Sequence, residues 1–86
     1  MIKTLIVDDT VTYRKILTQV VEELPDAEVT ATAPTGELAL AKLAKGEFNL
    51  VLLDIEMPGM GGLEALKRIK QDFPGIEVVM VSSASS

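Results

Sequence analysis

The chain of 86 residues contains no cysteine and no histidine. Without cysteine there is no disulfide framework and no thiolate metal site. Without histidine, imidazole acid–base catalysis is excluded, and so is the commonest zinc ligand. Cations are also short: 8 Lys and Arg stand against 13 Asp and Glu, a net charge of −5. That balance argues against nucleic acid as a partner, because phosphate backbones attract Lys and Arg. No apolar run approaches the roughly 20 residues needed to span a bilayer. Met1-Ile2-Lys3-Thr4 leads straight into a short apolar run with no cleavage-site pattern, so it reads as a strand and not a signal peptide. No membrane partner is expected, and the expected compartment is the cytoplasm.

What is present is a chain with 48% hydrophobic residues, able to bury a core and unlike a disordered acidic tail. Its length allows one small domain, residues 1–86, with a thin margin of stability. The side chains that remain for chemistry are mostly carboxylates, which suit hard cations such as Mg²⁺.

Four short apolar, β-branched runs alternate with three helical patterns. Ile2–Val7 reads as a buried parallel strand ending on Asp8-Asp9. Thr10 or Thr12 can cap the helix that follows, whose stripe is Tyr13, Leu17, Val20, Val21 and Leu24, stopped by Pro25-Asp26. Ala27–Ala33 is half polar and reads as an edge strand. After Pro34-Thr35-Gly36, with Thr35 a candidate cap, Leu38–Ala44 is helical and closes on Lys45-Gly46. Phe48–Leu53 is the most apolar strand and the expected centre of the sheet. A Gly-rich loop, Met57–Gly62, precedes a helix with the stripe Leu63, Leu66, Ile69 and Phe73. Ile76–Val81 is the last strand, followed by Ser82-Ser83-Ala84-Ser85-Ser86. The sum, βαβαβαβ, predicts an α/β fold with a doubly wound parallel sheet.

In such sheets ligands bind outside the carboxyl ends of the strands. Asp8 and Asp9 follow the first strand and Asp54 the third, where the buried strand is expected to emerge. If those strands are neighbours, three acids meet at one rim and repel one another unless a divalent cation intervenes. Ser82, after the fourth strand, reaches the same rim with a hydroxyl donor. Carboxylates, a hard metal and a hydroxyl suit phosphoryl transfer to an Asp as acyl phosphate. Against this stands a plainer reading, in which Asp9 merely caps the first helix.

The runs Leu5-Ile6-Val7-Asp8-Asp9, Leu52-Leu53-Asp54-Ile55-Glu56-Met57-Pro58-Gly59-Met60 and Val79-Met80-Val81-Ser82-Ser83 resemble the two-component response-regulator receiver domain, in that family's order and spacing. Gly62-Leu63-Glu64-Ala65-Leu66 and the Val-Met-Val-Ser-Ser run are most similar to receivers of the chemotaxis methylesterase type. The resemblance implies a flavodoxin-like sheet of order 2-1-3-4-5. It implies that Asp54 is the phospho-acceptor, that Asp9 ligates Mg²⁺ directly and Asp8 through water, and that the Glu56 carbonyl is a further metal ligand. Ser82 would be the switch hydroxyl and Ser83 the small residue after it. A sensor histidine kinase is the implied partner, with an output domain in the parent protein.

By the same resemblance, a receiver has five strands and five helices, and this chain is expected to be truncated after the fourth strand, in order 2-1-3-4. The family's phosphate-contacting Lys would lie beyond it, and no Lys here follows the fourth strand. An open apolar edge at Val78–Val81 predicts a homo-oligomer. Two alternatives remain: a structural or engineered receiver fragment with no competent phosphorylation, and an aspartyl phosphohydrolase with Glu56 as second acid.

Overall fold

The computed structural model describes residues 1–57 and 59–82; Pro58 of the glycine-rich loop and Ser83 lie outside them. The apolar β-branched runs form β1 (Ile2–Val7), β2 (Ala27–Ala33), β3 (Leu50–Asp54) and β4 (Glu77–Val81), and between them stand α1 (Val11–Glu22), α2 (Gly36–Lys45) and α3 (Gly62–Asp72). All pairings are parallel and the strand order is β2-β1-β3-β4. The flavodoxin-like order 2-1-3-4 expected for the four strands is therefore observed. The chain leaves β1 for one neighbour and later returns to its other side. The switch point of the sheet thus lies between the carboxyl ends of β1 and β3.

The two faces are covered differently. Leu5, Val7, Val51 and Leu53 pack under Ala39, Leu43, Ala65 and Ile69 of α2 and α3. On the other face Ile6 packs with Leu17 and Val21 of α1, flanked by Tyr13, Leu52 and Val81. One irregularity tunes this arrangement. The register between β1 and β2 shifts between Thr4 and Leu5, so Val29 pairs with Thr4 but Ala31 with Leu5. The extra residue turns β2 over. Ala27 and Val29 face α1, whereas Ala31 and Ala33 face α2.

Thr35 caps α2 as expected, its hydroxyl accepting from Leu38 N at 3.1 Å. Thr10 is the N-cap residue of α1, but its side chain makes no capping bond. Val20 and Leu24, placed on the core stripe of α1, are 52% and 53% exposed. The helix touches the sheet along Leu17 and Val21, a stripe narrower than the apolar pattern, and Leu24 lies beyond its last turn. Leu63 likewise points outward from the first turn of α3, where Ala65 and Ile69 are the residues buried. Among the described residues no helix is long and apolar enough to cross a membrane.

Candidate functional site

The strand register builds the site. Val7 pairs with Leu53, so the next residues, Asp8 and Asp54, leave adjacent strands at the same level. Alternation along each strand turns both toward the α1 side, shared with Ile6 and Leu52. Asp54 pairs with Val81 in β4, and Ile55 N donates to Val81 O at 2.9 Å. Ser82 is the following residue and stands at the same rim. The structure thus brings together Asp8, Asp9 and Asp54, whose carboxylates can each place one oxygen within 4.8 Å of the others. The Glu56 side chain is exposed. Its backbone N–H donates to Asp54 Oδ1 at 3.1 Å and so orients that carboxylate.

Asp54 was expected to emerge from the sheet, but it is fully buried, as is Asp8; only Asp9 of the three is exposed. The chain crossing from β3 to α3 passes close over the end of the strand: Gly62 N donates to Ile55 O at 3.1 Å. Burial has an electrostatic consequence. The Asp8 carboxyl is pushed up to about 6, chiefly by desolvation and then by the neighbouring Asp54 and Asp9 charges. The Thr10 N–H, donating to Asp8 Oδ1 at 3.0 Å, works in the opposite direction. Asp8 Oδ2 is buried and has no hydrogen-bond partner among the described residues. Two carboxylates bond to each other only with a proton between them. With both ionised, this oxygen calls for a cation or for a water molecule held by one. Three clustered carboxylate oxygens, two of the residues buried and one with an orphaned acceptor, are a donor set that fits a hard divalent cation.

Two residues at the site were not legible as such. Arg14 of α1 donates from Nη1 to the Asp8 carbonyl at 2.6 Å. Tyr13, read as core, donates its hydroxyl to the Ser82 carbonyl at 3.0 Å. The available signal was a polar tip on an apolar ring at the start of a helix, since a half-buried tyrosine hydroxyl usually finds a partner. Asp9 does not cap α1. Its carboxylate accepts from the Thr10 hydroxyl at 3.4 Å and otherwise stands at the mouth of the cluster.

Comparison with known proteins agrees with this geometry. The family model described as the response regulator receiver domain matches residues 4–86. A protein-glutamate methylesterase/protein-glutamine glutaminase of Geobacillus kaustophilus is 47% identical over 85 residues, 99% of this chain and 24% of that protein. The chain spans about a quarter of the length of the curated relatives it matches. Among solved structures, the response regulator domain of Thermotoga maritima CheB is 36% identical with a TM-score of 0.89, over all of this chain and 63% of that one. TrrA of the same organism, also 36% identical, has been solved with Mg²⁺ and BeF (TM-score 0.88, 99% of this chain and 72% of that one). It has also been solved in complex with the histidine kinase ThkA (TM-score 0.86, all of this chain and 72% of that one).

Proposed function

The chain belongs to the response regulator receiver domain family, and from that premise we propose that it takes a phosphoryl group onto Asp54 from a partner histidine kinase in a Mg²⁺-dependent reaction. The observation that carries this reading is the cluster itself: Asp8, Asp9 and Asp54 at one rim, with a buried Asp8 oxygen that lacks a partner among the described residues. Asp9 and Asp54 would hold Mg²⁺ with the Glu56 carbonyl, and Asp8 would hold it through water. Bound there, the cation supplies positive charge that offsets the acids and the phosphoryl oxygens.

The remaining chemistry falls to the chain. An Asp54 carboxylate oxygen attacks the phosphorus of a phosphohistidine. The O–P bond forms as the P–N bond breaks, and its electron pair goes to the imidazole nitrogen, which takes up a proton. The Glu56 N–H fixes the Asp54 carboxylate for that attack. The Ser82 hydroxyl donates to a phosphoryl oxygen and stabilises the charge spread over it. The kinase complex of TrrA supports a kinase as partner, and the methylesterase relatives support an output domain in a longer parent protein.

Incubation of the chain with Mg²⁺ and acetyl phosphate, read by mass spectrometry, tests the reading. The wild-type chain is expected to gain one phosphoryl group and Asp54→Asn none. Equal labelling of both would refute the assignment.

A second reading rests on β4, the last strand of the sheet among the described residues, with Val79 47% exposed on it. Among the described residues no strand pairs with the outer side of β4; an unpaired apolar edge is a template for pairing, and the 86-residue polypeptide by itself is expected to self-associate along it. Light scattering after size exclusion should show a concentration-dependent dimer or larger species. A monomer at all concentrations refutes this.

A further inference from the structure

We infer that Tyr13 is a positioning residue for phosphoryl transfer, acting by fixing the backbone of Ser82; this rests on the receiver reading above. Tyr13 lies in the first turn of α1, its ring packed against the Ile6, Leu17 and Val21 cluster that also holds Leu52 and Val81. Its hydroxyl crosses to a residue 69 positions away and donates to the Ser82 carbonyl at 3.0 Å. Val81 is the last residue of β4 in register with β3, so Ser82 is the first residue past the sheet ladder. A carbonyl held in place fixes the peptide plane and restricts the direction of the Cα–Cβ bond on the same residue. The Tyr13 bond therefore sets where the Ser82 hydroxyl points.

The same turn of α1 also holds the opposite side of the site. Thr10 N–H reaches Asp8 Oδ1 at 3.0 Å, and the Arg14 guanidinium reaches the Asp8 carbonyl at 2.6 Å. One helical turn, residues 10–14, thus ties the acid after β1 to the hydroxyl residue after β4. A water could hydrate the exposed Ser82 carbonyl at little cost, so the bond contributes modestly to stability. Its larger effect is orientation, because small displacements at a reacting centre change rates out of proportion to their energies.

The test uses the full chain with Mg²⁺ and acetyl phosphate, in a cycle of Tyr13→Phe, Ser82→Ala and the double variant. Tyr13→Phe keeps the ring and its packing, and its melting temperature should stay within a few degrees of wild type, roughly the shift expected for one exposed hydrogen bond. Its initial labelling rate should fall about three- to tenfold, the effect of losing one neutral hydrogen bond. In the Ser82→Ala background the same change should have no further effect, which a merely structural role would not produce. Tyr13 is the only tyrosine and there is no tryptophan. Its emission should therefore change when beryllofluoride and Mg²⁺ are added to the wild type and stay constant in Asp54→Asn. A Tyr13→Phe rate equal to wild type, or an equal loss in both Ser82 and Ala backgrounds, overturns the inference while the receiver reading stands. Absence of any Asp54-dependent adduct in the wild type overturns the receiver reading and the Tyr13 role with it.

Discussion

Replacing Asp8 by asparagine is expected to stabilise the chain at neutral pH in the absence of divalent cations. The Asp8 carboxyl is raised from 3.8 to about 6 in the folded chain, by desolvation first and by Asp54 and Asp9 next. A folded-state value above the unfolded one means that the native protein binds the proton more tightly. The contribution of Asp8 to stability is therefore fully present below the unfolded value of 3.8 and is lost as pH rises through about 6. Above that range the ionised group costs roughly 3 kcal/mol at most, from about two pK units at about 1.4 kcal/mol each. An amide in its place can keep the acceptor for Thr10 N–H, removes one of three clustered negative charges, and offers N–H donors to Asp54. For a domain of this size the melting temperature at pH 7.5 should rise on the order of 10 °C. The gap should close as pH falls below about 4, where the wild-type carboxyl is neutral in both states. Mg²⁺ should raise the wild-type melting temperature and leave that of Asp8→Asn nearly unchanged, because the variant has given up part of the donor set. Equal stability of the two proteins at neutral pH, or equal stabilisation of both by Mg²⁺, would count against a strained acidic cluster that a cation relieves.

This trade of stability for charge explains why the site was legible and its energetics were not. Asp8, Asp9 and Asp54 each follow an apolar run, and the alternation of strands and helices predicts that those runs end at one edge. What the alternation cannot convey is depth. Asp54 reads as an acid emerging from a strand, yet it has no exposed surface, because the chain re-enters at Gly62 directly over the strand end. Depth also decided the helix stripes. Val20 has the spacing of a core residue, but a helix resting on a twisted sheet touches it along one line, and here that line runs through Leu17 and Val21. The turnover of β2 depended on a register shift against β1, a property of two strands paired in space and not of either segment alone. The bonds from Tyr13 to Ser82 and from Arg14 to Asp8 are of the same kind. Local pattern specifies elements, and long-range contacts specify what their polar tips reach.

Gly62→Ala should be the most damaging of the glycine-to-alanine changes in the chain. A Cβ on residue 62 would lie 2.6 Å from Ile55 Cα and 2.7 Å from Ile55 O, and closer still to the Asp54 carbonyl oxygen. All three are backbone atoms, so no side chain can swing aside. Relief requires α3 to move off β3, which breaks the Gly62 N–H bond to Ile55 O and lifts Ala65 and Ile69 from the core. Overpacking of that kind costs on the order of 3 kcal/mol or more, a large share of the stability of a small domain. Two other glycines serve as controls. Gly61 has φ of 78° with no atom of the described residues within 4 Å of an added Cβ, so an alanine there meets chiefly backbone strain, about 1 kcal/mol. Gly75 has neither restriction, and alanine there should change stability by less than about 1 kcal/mol. Urea unfolding of the three variants is expected to rank them Gly62, Gly61, Gly75 in order of loss. A Gly62→Ala protein as stable as Gly75→Ala would mean that α3 is not seated against the end of β3. The consequence reaches the site, because the methyl presses on the same residue whose carboxylate takes the phosphoryl group in the reading above. Any Gly62→Ala protein that remains folded should label more slowly with acetyl phosphate than Gly61→Ala, whose added methyl touches none of the described residues.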